Sequence, residues 1–553
     1  MEQATYLIAV FVAADALPLS KSSRCHRWPI WHFATSLSPT KHSGRNSHPT
    51  TSTWYGPALA RPPPYLLRGQ VTRILASMAD KQGPAFILRA GSEPCPATVG
   101  LRRALGMQEH DVGVRKIITV EILSARRLES FKHFCLAEID MNMKRLHREW
   151  VKKGGEKLII EMRNWLLDLS FNVMTMILAG KRYFGSHSIS DEGEARRFQH
   201  AMEEALHLIG GLERAMKSVA AELDSLMGSW LADHRQKRQQ LGKVDGGDRD
   251  FLDVMLSTIE EEPLAGYGSD SVAKATSSRQ LNKFCSGFQK TGRYLLKREI
   301  DGIFKDGFIC THCPISAVSS QIVWMQVLLL DGTDTSSITT SWDLSMLLKN
   351  HHVLRRDQDE LDIHVGRNRH VDDSDIKNLV YLQAIIKESM RLYLPAPLLI
   401  AHEAIEDFSM GGFRIHADTR VFFDAWKMHR NPRIWSEPTE FQPERFLTRH
   451  AGLDVRGQNF EFLPFRSGQR ICPGDTFAMQ LMHLTVARLL QPFDLDTPDG
   501  APVDMTEGLG LTMPRETPLQ VLLTTRLPSS LYQQCIHHIE HKLAASRGCN
   551  LGS

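Results

Sequence analysis

The stretch Phe462-Leu463-Pro464-Phe465-Arg466-Ser467-Gly468-Gln469-Arg470-Ile471-Cys472-Pro473-Gly474 sets one cysteine in a loop rich in Gly and Pro. The helical pattern Thr476 to Leu490 follows at once. A thiolate at a helix N-terminus is stabilised by the helix dipole and by N–H groups that have no partner inside the helix. Gly474 has no Cβ, so the backbone there can lie close to a flat ligand, and Gly468 permits a tight bend ahead of it. Arg470 lies within reach of an anionic group on the same ligand, and Phe465 offers an aromatic face. The alternative, a buried structural cysteine, is the usual fate of a lone Cys. Five fixed positions in one such window arise by chance in roughly one chain in ten thousand, which favours the ligand loop.

The pattern Phe-x-x-Gly-x-Arg-x-Cys-x-Gly resembles the haem-binding loop of the cytochrome P-450 monooxygenases. The resemblance implies haem b as cofactor, Cys472 as the proximal iron ligand, and Arg470 against a haem propionate.

Upstream, Val327 to Lys349 reads as a helix with an unusual centre, Asp331-Gly332-Thr333-Asp334-Thr335-Ser336. A Gly and clustered Thr/Ser weaken a helix interior, by up to about 1 kcal/mol at the Gly. A local fault of this kind is often functional; the competing reading is local Ser/Thr back-bonding to the helix itself. The family carries Ala/Gly-Gly-x-Asp-Thr-Thr/Ser at this point. By that resemblance Asp334 and Thr335 form the acid–alcohol pair that handles protons for bound oxygen, and Gly332 makes room for O2. Asp331 departs from the family's usual small residue.

Two further motifs lie between. Glu388 and Arg391 sit three residues apart, on one face of the predicted helix Asp375 to Leu394. Alone they would be an ordinary ion pair worth little. With Pro443-Glu444-Arg445-Phe446 downstream they resemble the family's Glu-x-x-Arg pair and its third Arg, so Arg445 is expected to bridge back to Glu388. That role is structural. Pro397, Leu398, Leu399 and Ile400 match a segment that lines the family's substrate pocket, as does Leu511 at the tip of the last strands. His402 matches a propionate partner, and Arg115 matches an Arg that reaches the propionates from a helix before "RKIITVEILSARRLE".

Composition sets the outer bounds. The chain has 553 residues, 42% hydrophobic and 23% charged, which is ordinary for a globular protein with a large core. A net charge of +3 makes no case for nucleic acid as a partner. Nine scattered cysteines form no paired framework, which fits a reducing compartment. Cys310-Thr311-His312-Cys313 has no second pair to complete a zinc site. Ala4 to Ala14 is apolar but is about half the ~20 residues a spanning helix needs.

Residues 1–60 are therefore read as a leader with a weak anchor, residues 61–532 as the catalytic domain, and residues 533–553 as a tail. Arg61-Pro62-Pro63-Pro64 is a stiff hinge. Pro84 to Arg89 reads as a strand; Ile74 to Lys81, Glu121 to Trp150, Lys157 to Gly180 and Glu194 to Leu241 read as helices. Against the family, the interval before Arg115 is short by several tens of residues. A basic stretch, 277–325, reads as an insertion in the front half of the central helix.

Phrases such as "DIKNLVYLQAIIKESMRLYLPAPLLIAHE" look most like plant family eighty-two. The fold implied is mainly α with a small β region. The implied activity is hydroxylation or demethylation of a small hydrophobic alkaloid, terpenoid or phenolic, using O2 and electrons from an NADPH-cytochrome P-450 reductase. The implied place is the cytosolic face of the endoplasmic reticulum membrane. The competing reading is a non-catalytic or misassembled remnant that keeps the motifs without turnover.

Overall fold

The structure is a computed structural model and describes residues 5–9, 85–89, 118–119, 123–185, 192–207, 213–241, 250–253, 256–257, 320–399, 402–403, 407–410, 413–416, 420–508 and 512–534. In chain order its elements are β1 (Thr5–Ala9), β2 (Ala85–Arg89), α1 (Ala125–Lys152), β3 (Leu158–Glu161), α2 (Met162–Ala179), α3 (Glu192–His207) and α4 (Glu213–Leu241). After them come α5 (Ser320–Lys349), α6 (His351–His364), α7 (Val380–Leu392), β4 (His402–Glu403), β5 (Phe408–Met410), β6 (Phe413–Ile415) and β7 (Arg420–Phe423). The last are α8 (Ala425–Met428), α9 (Asp475–Leu490), β8 (Phe493–Asp496), β9 (Gln520–Thr525) and α10 (Ser529–Gln534).

Helix α5 is the axis of the molecule. Helices α2, α4, α7 and α9 all pack against it. From Thr333 to Leu348 every residue except Thr335 is buried. Such a helix must satisfy its hydroxyls internally, and most of them are bonded this way, although the buried Thr333 hydroxyl has no partner. Thr339 and Thr340 hydrogen-bond the carbonyls of Thr335 and Ser336, four residues back, and Ser345 bonds that of Ser341.

Helix α1 buries Leu128, Phe131, Cys135, Ile139, Met143 and Leu146, a stripe at helical spacing. Burial pushes the Cys135 thiol up to about 12, which marks it as a packing cysteine. Helix α2 opens on Glu161, whose carboxylate accepts from the N–H groups of Arg163 and Asn164, and ends at Gly180 with φ 61°.

Three small sheets flank the helices. The largest has the order β2-β1-β7-β4, with β1 antiparallel to β2 and parallel to β7. The expected strand from Pro84 to Arg89 is present as β2. Part of the stretch read as a leader supplies its neighbour, β1. A second sheet, β3-β9-β8, is antiparallel throughout. Here the sequence reading is corrected, because residues 158–161 form a strand and not the first turn of a helix. Pairing of Leu158–Glu161 with Gln520–Leu523 overrides the local apolar pattern.

Within the expected helix from Glu194 to Leu241, the described residues form helices α3 and α4. Residues 320–325, read as the end of an insertion, belong to α5, which runs unbroken through the site. The rest of that insertion, the helix at Ile74 to Lys81 and the Cys310–Cys313 pair lie outside the described residues. Among the described residues no helix is long and apolar enough to cross a membrane.

Candidate active site

The cysteine loop is built mainly by its backbone. The N–H of Cys472 donates to the carbonyl of Phe465 at 2.9 Å, and that of Ile471 to Gly468 at 3.1 Å. Gly468 has φ 67°, the left-handed conformation expected of the bend. Arg466 adopts φ 70°, which strains a residue with a Cβ and locks the loop's direction. Gly474 is the N-cap of α9, so the cysteine precedes the N-cap by two residues. A Cβ on Gly474 would meet only the Cys472 Sγ, at 3.8 Å. The Cys472 thiol is half-buried and makes no disulfide. Phe465, half-buried, packs its ring on the main core.

Behind the loop stands a buried charge network. Arg391 donates through Nε and Nη2 to both carboxylate oxygens of Glu388, each at 2.8 Å, and Arg445 donates to Oε1 at 3.0 Å. The N–H of Gln442 adds a further bond to the same oxygen, at 3.0 Å. All three charged residues are at most 5% exposed, so the network survives only because it is fully hydrogen-bonded. The expected bridge from Arg445 to Glu388 is therefore present.

Sequence reasoning misses two residues that hold the loop, the first of which ties it to this network. Arg391 Nη1 donates to the carbonyl of His429 at 2.7 Å, and the Nε2 of His429 accepts from the N–H of Leu463 at 3.0 Å. Burial, reinforced by the charges of Arg391 and Arg430, pulls the His429 pKa down to about 3. Its ring is neutral, as an acceptor at Nε2 requires. The second residue is Gly457, at φ +68°. A Cβ there would lie 2.4 Å from the Arg466 carbonyl oxygen and 2.7 Å from the Ser467 Cα. Neither can be recognised from sequence, because each acts on a backbone atom far along the chain.

On α5, Asp331 is exposed and Thr335 half-buried, four residues apart on one face of the helix. The Thr335 hydroxyl donates to the Asp331 carbonyl, one turn back. This spends its hydrogen and leaves the oxygen's lone pairs as acceptors. Asp334 points elsewhere, its Oδ2 accepting from the Thr512 hydroxyl at 2.7 Å. Burial raises the Asp334 pKa, opposed by the Thr512 hydrogen bond and the charge of Arg163 on α2. The expected acid–alcohol pair is thus adjacent in sequence but not hydrogen-bonded together. For Asp331, desolvation by surrounding protein and the charge of Asp334 push the carboxyl up to about 7.

Gly332 is expected from its motif to leave room for a small ligand. A Cβ there would lie 3.0 Å from Met174 Cε and 3.2 Å from its Sδ, so the gap admits a side chain of α2.

Of the expected pocket residues, Leu398 is half-buried. Leu399, at φ 49°, is buried with Leu394, Ala425, Met428 and Leu463. His402 is placed only through its backbone, paired with Val421. Arg115, Ile400 and Leu511 lie outside the described residues.

These features suit a flat, anionic, metal-bearing ligand. A half-buried thiol stands at a helix N-terminus, beside a glycine whose missing side chain leaves open space. Arg470 and Phe465 share its loop, and the central helix exposes Asp331.

A profile of the family described as cytochrome P-450 matches residues 323–522. A xanthotoxin 5-hydroxylase of Arabidopsis thaliana is 39% identical over 524 residues, which cover 85% of this chain and 91% of the relative. Strychnine-10-hydroxylase of Strychnos nux-vomica is 36% identical over 518 residues, covering 83% and 87%. Among solved structures, a zebra fish cytochrome P-450 with progesterone aligns with a TM-score of 0.55 at 22% identity, over 82% of this chain and 99% of that one. That likeness confirms the fold, mostly helical with small sheets. Sequence similarity at this level and coverage, together with the cysteine loop and the charge network behind it, establishes that the chain belongs to the cytochrome P-450 family of haem b monooxygenases, in its plant family-eighty-two group.

Proposed function

We propose that this chain hydroxylates or demethylates a small hydrophobic plant metabolite, an alkaloid, terpenoid or phenolic, with O2 and electrons from an NADPH-cytochrome P-450 reductase. The proposed setting is the cytosolic face of the endoplasmic reticulum membrane, with residues 61–532 as the catalytic unit. The observation that carries the reading is the cysteine loop, which presents a half-buried thiol at the N-terminus of α9 on a backbone-bonded turn. The names of the relatives, hydroxylases of xanthotoxin, strychnine and flavonoids, support the substrate class.

When bound, haem b supplies the reductive activation of O2; the protein supplies position, protons and exclusion of water. In this reading Cys472 holds the metal through its thiolate, and Arg470, with Arg115 and His402, holds the propionates. Thr335 Oγ1 offers its lone pairs to a proton donor entering the cleft. Asp334, with its pKa raised by burial, serves as the acid beside Thr335, and Thr512 fixes its orientation. Leu398, Ile400 and Leu511 contact the substrate.

The test is the reduced, carbon-monoxide-bound spectrum of the expressed chain, followed by NADPH-dependent turnover with a plant reductase. The red-shifted Soret band of a thiolate complex, with product formation that Thr335→Ala uncouples from O2 consumption, is the expected result. An unshifted band, or failure to retain haem, overturns the reading in favour of a remnant.

A further inference from the structure

We propose that Asp331 is an anionic anchor in the substrate cleft, so that the preferred substrates are small apolar molecules carrying an ammonium group. This rests on the monooxygenase reading and narrows it.

Asp331 lies on α5, four residues before the half-buried Thr335, and is exposed where its neighbours Leu330 and Gly332 are half-buried. Among the described residues no cation pairs with its carboxylate, and the charge that acts on it is a second acid, Asp334.

Elsewhere this fold supplies a guanidinium to several of the carboxylates it encloses: Arg391 and Arg445 to Glu388, Arg182 to Glu138, and Arg488 to Asp140. Two other acids, Asp343 and Asp357, also have no hydrogen-bond partner at either oxygen. They are sealed from solvent at 0% exposure, and burial pushes both carboxyls well above the usual carboxylate range. Asp331 differs because an entering ligand can reach it.

A carboxylate in a partly desolvated cleft, beside a like charge, is relieved most by a cation brought in by the ligand. A neutral ligand leaves it uncompensated. An ammonium held at Asp331 places the rest of the molecule one helical turn from the Thr335 hydroxyl. The charged groups around this point are Asp334 on the same helix and Arg163 on α2, which acts on Asp334.

The haem-loaded chain is titrated with phenyltrimethylammonium and with its neutral isostere, tert-butylbenzene. The quaternary nitrogen has no lone pair for the iron and keeps its charge at every pH. Binding is read from the ligand-induced shift of the Soret band and from equilibrium dialysis. The expected result is a preference for the ammonium on the order of tenfold, as for a close charge pair in a partly desolvated site. Asp331→Asn abolishes the preference and leaves tert-butylbenzene binding within about twofold, while Asp331→Glu retains it. Equal affinities in the unaltered chain, or a preference that survives Asp331→Asn, overturn the proposal. Loss of the thiolate band in the unaltered chain overturns the monooxygenase reading as well; an intact band without ammonium preference overturns only this one.

Discussion

His429 Nε2 lies 3.0 Å from the amide nitrogen of Leu463 and accepts its hydrogen bond, while the His429 carbonyl accepts from Arg391. One residue thus ties the Glu388 network to the start of the cysteine loop. His429→Ala leaves a buried N–H unsatisfied and opens a cavity, at a cost of about 2–4 kcal/mol. The expected signature is conversion of the thiolate-type carbon monoxide spectrum to the unshifted form at moderate temperature. His429→Gln, which keeps an acceptor, should convert less. The ring's depressed pKa sets the sign with pH. The unfolded chain takes up a proton that the folded one refuses, so stability falls as pH drops from about 6.5 toward 3. His429→Gln should lose that part of the acid sensitivity.

Glu388 accepts three guanidinium bonds and one backbone N–H at 0% exposure. Glu388→Gln leaves two buried guanidinium groups without a counter-charge and should destabilise by about 3–5 kcal/mol. The expressed variant is expected to recover little haem-loaded protein, measured as the ratio of Soret to protein absorbance. Recovery equal to the unaltered chain would contradict the network's role.

Gly457 tolerates no side chain, because its φ is positive and a Cβ would strike backbone atoms of Arg466 and Ser467. Gly457→Ala should cost about 3 kcal/mol or more and displace the cysteine loop. Gly452, where an added methyl would meet nothing within 4 Å, serves as the control, and Gly452→Ala should change nothing in the same spectrum.

Gly332 meets the flexible end of Met174, so Gly332→Ala should cost only about 1–2 kcal/mol. Pairing it with Met174→Ala should recover part of the loss. A double-mutant cycle in urea that gives strict additivity would show that the two positions do not touch.

His234 bridges the Trp230 carbonyl at Nδ1, 2.8 Å away, and the Asp250 carboxylate at Nε2, 2.7 Å away. Two acceptors require two ring protons. Burial opposes that charge, but the Asp250 bond and charge prevail and raise the pKa. The stabilisation is full below about pH 6.5 and is lost as pH rises through the folded value. Asp250→Asn should lower Tm at pH 6, corresponding to about 1.5–3 kcal/mol, and by much less at pH 9.

The cysteine loop, the Glu-x-x-Arg pair, Arg445 and the central-helix motif are legible in the sequence because each is a cluster of chemically distinctive side chains. His429, Gly457 and Thr512 are not. Their partners are a backbone N–H, a backbone carbonyl and a carboxylate already assigned to another role. The left-handed φ of Leu399 and its burial with Leu394, Ala425, Met428 and Leu463 are equally illegible, because an apolar tetrapeptide carries no mark of that turn. Leu158–Glu161 is misread for a similar reason. An apolar run joined to a helix looks helical until β9, hundreds of residues later, pairs with it.

The link between His429 and Leu463 spans 34 residues, and that between Arg445 and Glu388 spans 57. Neither link can form between neighbours in the chain, so the cysteine turn is supported from elements remote from it in sequence. A change at His429 or Glu388 is therefore felt at Cys472, although neither residue belongs to its loop.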